Sequence, residues 1–546
     1  MGESISLTSR LDTVGQVGND IEVDSGSTEG ENLTVSSFNN THLTETVGDL
    51  YLNTIQTGAA AIAFIAAPAG RILNDSASGD NIISGKTYLF ASLDIGASDK
   101  ALATQVGNIQ GQSTTGSTYI ENTGALNVGG VVDSISTGFE AGGEINLVTQ
   151  SPMTVDKDMI ANGNINLKSK DDSANDDITV VSGVTLETKA SININSGDGF
   201  TLESGATLDA DKDVNIQIDS GKTGDQDAVG ATLDIQGSIV AGDDINLTGN
   251  TDDDSFVLQG SLDATNINID AGEGNDQLLI DAQSLIGDTY VSMGAGDDEI
   301  TVNQLHTRAD KLVLDGEGGT DSYIINRTGS DADYIIDIED SGAGNDGADV
   351  VSLNGLASDD TFLIRANFVA ALHDDGNGGY GNTVERINYD GNINARFIIN
   401  GLEGEDSFYS DDTGTIFTLD GGADNDTFQV GQLFGSDRVG PFVAEGDEIE
   451  TTETTLGFLS NGNSLPMVIY GGDGEDSIKV YSNKAVTKLY GEAGDDSFVV
   501  RAFLLADSGL TNNSVDVELF GGEGADTIEY SINAALRSTA VQVAIR

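Results

Sequence analysis

Gly471-Gly472-Asp473-Gly474-Glu475-Asp476-Ser477-Ile478-Lys479-Val480 sets a glycine turn, three acids and the opening of a β-strand into ten consecutive residues. Twenty residues on, Gly491-Glu492-Ala493-Gly494-Asp495-Asp496-Ser497-Phe498-Val499-Val500 repeats the same chemistry in the same phase. Related stretches run from Gly272 to Ile280, Gly294 to Val302, Gly316 to Ile325, Gly401 to Phe408, Gly421 to Val430 and Gly521 to Tyr530. The aspartate that closes the loop falls at Asp254, Asp276, Asp298, Asp321, Asp360, Asp406, Asp426, Asp476, Asp496 and Asp526, mostly 20 to 23 residues apart. Two positions later stands a large apolar side chain, among them Phe256, Leu278, Ile300, Phe362, Phe408, Phe428, Ile478, Phe498 and Ile528, with Tyr323 in the same place. Side chains alternate along a strand, so this residue points inward when its neighbours face out. Successive coils then stack these residues into an internal Phe/Ile column.

Upstream a second repeat keeps nearly the same period. Glu144-Ile145-Asn146-Leu147, Asn164-Ile165-Asn166-Leu167, Ser191-Ile192-Asn193-Ile194, Val214-Asn215-Ile216, Asp244-Ile245-Asn246-Leu247 and Asn266-Ile267-Asn268-Ile269 alternate apolar with polar side chains. That alternation describes a strand with one buried face. Residues 1–140 hold shorter β-like runs between Gly, Asn, Ser and Thr, and the most apolar of them, Ala59 to Ala67, reads as a buried strand. The fold class expected is all-β, a single elongated parallel β-helix (solenoid) with coils of about 20–23 residues. Its parts are N-terminal coils at 1–140, the Ile/Asn repeats at 141–270 and the Gly/Asp coils at 271–546, one continuous solenoid. Insertions fall near 366–390, 431–465 and 502–513, and their Phe368, Tyr380, Phe434, Phe442 and Phe458 are expected to be exposed.

Ninety Asp+Glu against 23 Lys+Arg leave a formal charge of −67 in 546 residues. Such a charge repels nucleic acid and anionic membranes, and bound cations would relieve the self-repulsion. With 38% hydrophobic residues and four prolines the chain can build a core. There is no cysteine, so disulfides and thiolate metal sites are excluded. No apolar run is long enough to span a bilayer as a helix. The chain reads as a segment of something longer.

Paired glycines let the loop backbone curl with its carbonyls inward, and the closing aspartate adds a hard carboxylate beside them. Ca²⁺ takes six to eight oxygens, more than one loop offers, but two loops stacked about 4.8 Å apart can share one ion. Without a cation the same stack sets carboxylates against one another at about 1 kcal/mol per pair in water and more when shielded. Aspartate and glycine are also the commonest corners of metal-free β-helices. It is their recurrence in phase, with the net charge, that carries the metal reading.

GGDGEDSIKV, GEAGDDSFVV, GGEGADTIEY and AGEGNDQLLI resemble the GGxGxDxUx nonapeptide of RTX (haemolysin-type calcium-binding) repeats. The resemblance implies calcium as cofactor in a protein exported by bacteria. Carried over by position, it implies Asp276, Asp298, Asp321, Asp406, Asp426, Asp473, Asp476, Asp496 and Asp526 as ligands, with Asp424, Asn275, Asp297 and Asp495 as further acceptors. RTX nonapeptides run in uninterrupted tandem, whereas here one motif occurs per coil, so at most one calcium row is expected, with gaps at the insertions. The first half, with SGATLDADKDVNIQI and AGDDINLTG, is similar to filamentous haemagglutinin-like repeats, which implies a right-handed β-helix on a cell surface.

The function expected is that of a structural or adhesive stalk in a large secreted or cell-surface bacterial protein, with calcium ions, cell-surface glycans or other surface proteins as partners. The chain reads as no enzyme. The alternatives are a carbohydrate-active β-helix enzyme, recognisable by a groove of convergent carboxylates off the repeat register, and a surface-layer or filament subunit. Asp252-Asp253-Asp254 and Asp243-Asp244 read as solvated corners. Among His42, His306 and His373, only His373, in the insertion, invites a functional reading.

Overall fold

The computed structural model describes residues 4–25, 29–30, 32–170, 175–220, 230–303, 311–329, 333–343, 346–374, 377, 379–434, 447, 449–454, 457–501, 517–530 and 543–545. The 502–513 insertion, Phe442 and His306 lie outside them. Every regular element among the described residues is a β-strand, and none is a helix long and apolar enough to cross a membrane. The chain divides into two compact units, residues 1–274 with 282–287, and residues 275–281 with 288–546.

In the first unit each coil from residue 145 onward contributes three strands. Ile145–Thr149, Met153–Val155 and Asp158–Ala161 pair in parallel with Ile165–Ser169, Ile178–Val180 and Thr185–Thr188 of the coil above. The register aligns Ile145, Ile165, Ile192, Val214, Ile245 and Ile267, all fully buried. Their polar neighbours form an outer asparagine ladder. Asn193, Asn215, Asn246 and Asn268 each donate an amide N–H to the asparagine one coil below, at 2.8–2.9 Å. A one-residue slip would break this ladder and turn every isoleucine outward, so the pattern fixes the register. The expected buried strand is Ile62–Ala67, with Ala63, Ile65 and Ala67 inside.

The second unit uses two strands per coil over its later part. Ser407–Ser410, Thr427–Val430, Ser477–Val480, Ser497–Val500 and Thr527–Tyr530 stack in parallel on one side. Phe417–Ala423, Met467–Asp473, Thr487–Ala493 and Val517–Glu523 stack on the other. The expected internal column is split between two stacks. Leu278, Ile300 and Tyr323 align with Val351 and Phe397 in one register, whereas Phe362, Phe408, Phe428, Ile478, Phe498 and Ile528 lie in another. The first rings of the Phe362 register stack at 5.1 and 4.7 Å.

The 366–390 insertion is an antiparallel excursion of the sheet. Phe368–Asp374 pairs with Thr361–Arg365 on one side and with Tyr380–Asn388 on the other. Phe368 is fully buried with Leu363, Ala370, Leu372 and Val384, while Tyr380 and Phe434 pack partly buried against them. The expectation of an exposed Phe368 is therefore wrong. The excursion has its own small core, which absorbs the aromatic residues that interrupted the repeat.

Candidate metal centre

The loop ending at Asp476 shows why its residues are what they are. A Cβ on Gly471 would lie 2.2 Å from Asp476 Oδ2 and 2.6 Å from the Gly491 carbonyl, so only glycine leaves room for the inward-folded carboxylate. The same holds where Gly401, Gly421, Gly491 and Gly521 face Asp406, Asp426, Asp496 and Asp526. Gly472 has φ +107°, where a side chain is strained. Leu402 and Glu492 occupy the equivalent position at φ +82° and +75°.

Each closing aspartate is tied to the coil before it. The backbone N–H of Asp406 donates to Asp426 Oδ1 at 2.8 Å, Asp426 N–H to Asp476 at 2.8 Å, Asp476 N–H to Asp496 at 3.0 Å and Asp496 N–H to Asp526 at 3.2 Å. Asp360 N–H opens this file by donating to Asp406 Oδ1 at 2.7 Å. A second file runs Asp276 to Asp298 at 2.7 Å, Asp298 to Asp321 at 3.0 Å and Asp321 to Asp349 at 3.1 Å. Asp349 N–H in turn donates to Asn394 Oδ1 at 3.3 Å.

Two expectations are corrected here. The acids stand in two files, not one row. Val350–Asn354 starts directly after Asp349 and ends directly before the loop that closes at Asp360, so the files lie at opposite ends of this five-residue strand. A rise of about 3.3 Å per residue separates them by on the order of 15 Å. Nor do the insertions leave gaps, because the hydrogen bonds from Asp360 to Asp406 and from Asp426 to Asp476 bridge 46 and 50 residues of sequence. Asp349 was missed. Gly347-Ala348-Asp349-Val350 repeats the chemistry of Gly524-Ala525-Asp526-Thr527, but its spacing departs from the 20 to 23 residues used to find the others.

Asp473 is exposed, in register with Ala423 and Ala493 on the outer side of the loop. Asp297 and Asp495 bond the next coil, accepting through Oδ1 from Thr320 N–H at 2.9 Å and Ala525 N–H at 2.8 Å. Asn275 Oδ1 accepts from Asp297 N–H at 2.9 Å, and Asp424 from Gly404 N–H at 3.3 Å. Asp254, read as a solvated corner, is buried, its oxygens accepting from Ala231 and Asn250 N–H groups.

What remains is one oxygen on seven of the rungs. Oδ2 of Asp298, Asp321, Asp349, Asp406, Asp426, Asp476 and Asp496 is buried with no hydrogen-bond partner. Burial drives the Asp298, Asp321, Asp406, Asp426, Asp476 and Asp496 carboxyls upward against the pull of the N–H each accepts. Asp298 and Asp426 rise to about 7, Asp406 to about 8, and Asp321 and Asp476 to about 6, while Asp496 is raised as well. Neighbouring aspartates add to the rise. A buried anionic oxygen without a donor is costly unless a cation or proton joins it.

The donor set is all oxygen and hard, which suits Ca²⁺ in kind. In number it is sparse: no group of three or more acidic or imidazole side chains converges as a metal cage among the described residues. A calcium ion would use one carboxylate oxygen per rung, with backbone carbonyls and water completing its shell.

The opening rung differs. Asp360 Oδ2 accepts from Leu356 N–H at 2.7 Å, and its Oδ1 receives the Arg327 guanidinium. Arg327 also holds Glu385 through Nε at 3.0 Å and Nη2 at 2.7 Å, while Tyr334 O–H donates to Glu385 at 2.8 Å. His373 Nε2 lies 3.8 Å from the same carboxylate. Arg365 pairs with Asp411 at 3.1 Å and Arg386 with Asp447 at 2.6 Å. The end of the file thus carries a resident cation. His373 belongs to this buried cluster.

A separate cleft of about 470 Å³ is lined by Asp337, Glu339, Asp340 and Asp390, with Asn388 and Tyr389. Burial and the facing Asp349 carboxyl push Asp340 to about 7. Compared with known protein families, with curated proteins and with solved structures, the chain gives no match.

Proposed function

We propose that the chain is a structural, stalk-like or adhesive segment of a large secreted or surface-displayed bacterial protein, a right-handed parallel β-helix whose second unit is stapled by calcium. The observation that carries this reading is the pair of aspartate files, in which Asp298, Asp321, Asp349, Asp406, Asp426, Asp476 and Asp496 each keep a buried oxygen that lacks a donor. The RTX resemblance of the loops and the net charge of −67 support it. Calcium would neutralise the rungs and tie neighbouring coils, so folding and metal binding are linked. Glycans or other surface proteins are the partners proposed. The test is calcium titration of the whole chain by calorimetry and circular dichroism. A melt unchanged between excess calcium and excess chelator, with no binding heat, removes the metal from the proposal.

One observation favours a second reading, a polysaccharide-active enzyme. The acidic cleft brings Asp337, Glu339 and Asp390 beside Asp340, whose raised proton affinity suits a general acid. Release of reducing or unsaturated ends from a polysaccharide panel, lost in Asp340→Asn, would establish it. Absence of turnover on all members leaves the structural reading.

A further inference from the structure

In the first unit the loop through Gly15 to Asp20 folds over the outer face of the sheet. Gly15 takes φ +71°, and a Cβ there would meet the His42 carbonyl at 2.2 Å, so the loop is pressed against the strand beneath. Under it, His42, Phe64 and Tyr88 occupy one outward row of three successive coils. His42 stacks on Phe64 at 4.5 Å and Phe64 meets Tyr88 at 6.2 Å, tilted by 45°. The adjacent outward row has Ala66 between Thr44 and Phe90, and this small residue leaves a cleft of about 240 Å³ lined by Val17, Asp20, His42, Phe64, Ala66 and Tyr88. Asp20 is oriented by the Thr44 hydroxyl, which donates to its Oδ2 at 2.9 Å.

Among the described residues no Lys or Arg lines the cleft. Burial holds the His42 imidazole below its ordinary value against the opposing pull of Asp20, so near neutrality it adds no positive charge. Glu140 adds negative potential at Tyr88. The walls are therefore aromatic and aliphatic, and the fixed charge is negative, in a molecule of net −67. Aromatic faces beside a carboxylate attract an organic cation through the ring quadrupole and the charge together.

We propose that this cleft binds a small organic ammonium group, quaternary or primary, such as the head of a choline-like molecule or a lysine side chain. The site is independent of the calcium reading, since it lies in the first unit and uses none of the aspartate rungs. The chain has three histidines, so the His42 imidazole can be followed by NMR on the full-length protein, its resonance identified by its loss in His42→Gln. The probe is tetramethylammonium chloride, with sodium chloride at equal ionic strength, neopentyl alcohol as the uncharged isostere and glucose as a neutral sugar. The expected result is a saturable shift with tetramethylammonium alone, at least fivefold weaker in Asp20→Asn and in Tyr88→Ala. Asp20 is exposed, so the first variant leaves the core intact. An equal response to neopentyl alcohol, saturation by glucose, or variants titrating like the parent chain would each overturn the proposal.

Discussion

At a single rung, Asp476 does two things at once. Its Oδ1 accepts the Asp426 N–H at 2.8 Å and its Oδ2 is left without a donor beside Gly471 and the Gly491 carbonyl. The chain contains its own experiment on this geometry: Asn394 takes the rung after Asp349 and accepts the same N–H through an amide. Asp476→Asn should therefore keep the Oδ1 bond, offer an N–H where the orphaned oxygen stood, and remove a buried charge. In chelator it should raise stability by about 1 kcal/mol, and in calcium it should lose that rung's share of metal stabilisation, both read from denaturant midpoints. Lower stability in chelator would mean the orphaned oxygen already has a partner. Glu492 stands at φ +75°, where its counterparts Gly472 and Gly522 are glycine, and its carboxyl is raised by burial and by Asp420 and Asp473. Glu492→Gly should relieve about 1 kcal/mol of backbone strain, seen as a higher melting temperature in chelator.

At the scale of elements, the excursion between 361 and 388 is where the repeat gives way to individual residues. Arg327 neutralises Asp360 and Glu385 together, all three being nearly inaccessible to water. Arg327→Met would strand two buried carboxylates, and the expected loss is about 3–5 kcal/mol; Glu385→Gln in the same chain should return part of it. Additive losses in that double variant would show that the two groups do not interact. The strand stacks, the inward apolar side chains and the adjacency of Asp276, Asp298 and Asp321 were legible in the sequence, because side-chain alternation and loop chemistry recur there at one spacing. The division into two files was not. Val350–Asn354 follows one acidic loop and precedes another within a single half-coil, so Asp349 and Asp360 stand only eleven residues apart, and a search for one motif per coil passes over this. Nor were the buried partners of Arg327, Arg365 and Arg386 legible. Each is a pairing of residues tens of positions apart, brought together by an excursion whose antiparallel course has no periodicity to betray it.

For the whole molecule the two units should answer differently to metal and to pH, because their ladders differ in charge. Asn166, Asn193, Asn215, Asn246 and Asn268 bond coil to coil without ionising, whereas the files of the second unit are acids. Their folded values, about 6 for Asp321 and Asp476, about 7 for Asp298 and Asp426 and about 8 for Asp406, lie above the ordinary 3.8 of an aspartate. The folded second unit then holds more protons than its unfolded chain between those limits, so its stability is fully present below about pH 4 and drains as pH rises through 6 to 8. Calcium competes for the same oxygens and should remove that slope by replacing the protons. The measurement is amide hydrogen exchange resolved by peptide, in chelator and in calcium, from pH 5 to 8 after correction for the intrinsic rate. Segments such as 407–500 should lose protection with rising pH in chelator and keep it in calcium, while 145–247 changes little in either. Equal pH dependence in both segments, or a slope that calcium leaves in place, would mean the orphaned oxygens are not where proton and metal meet.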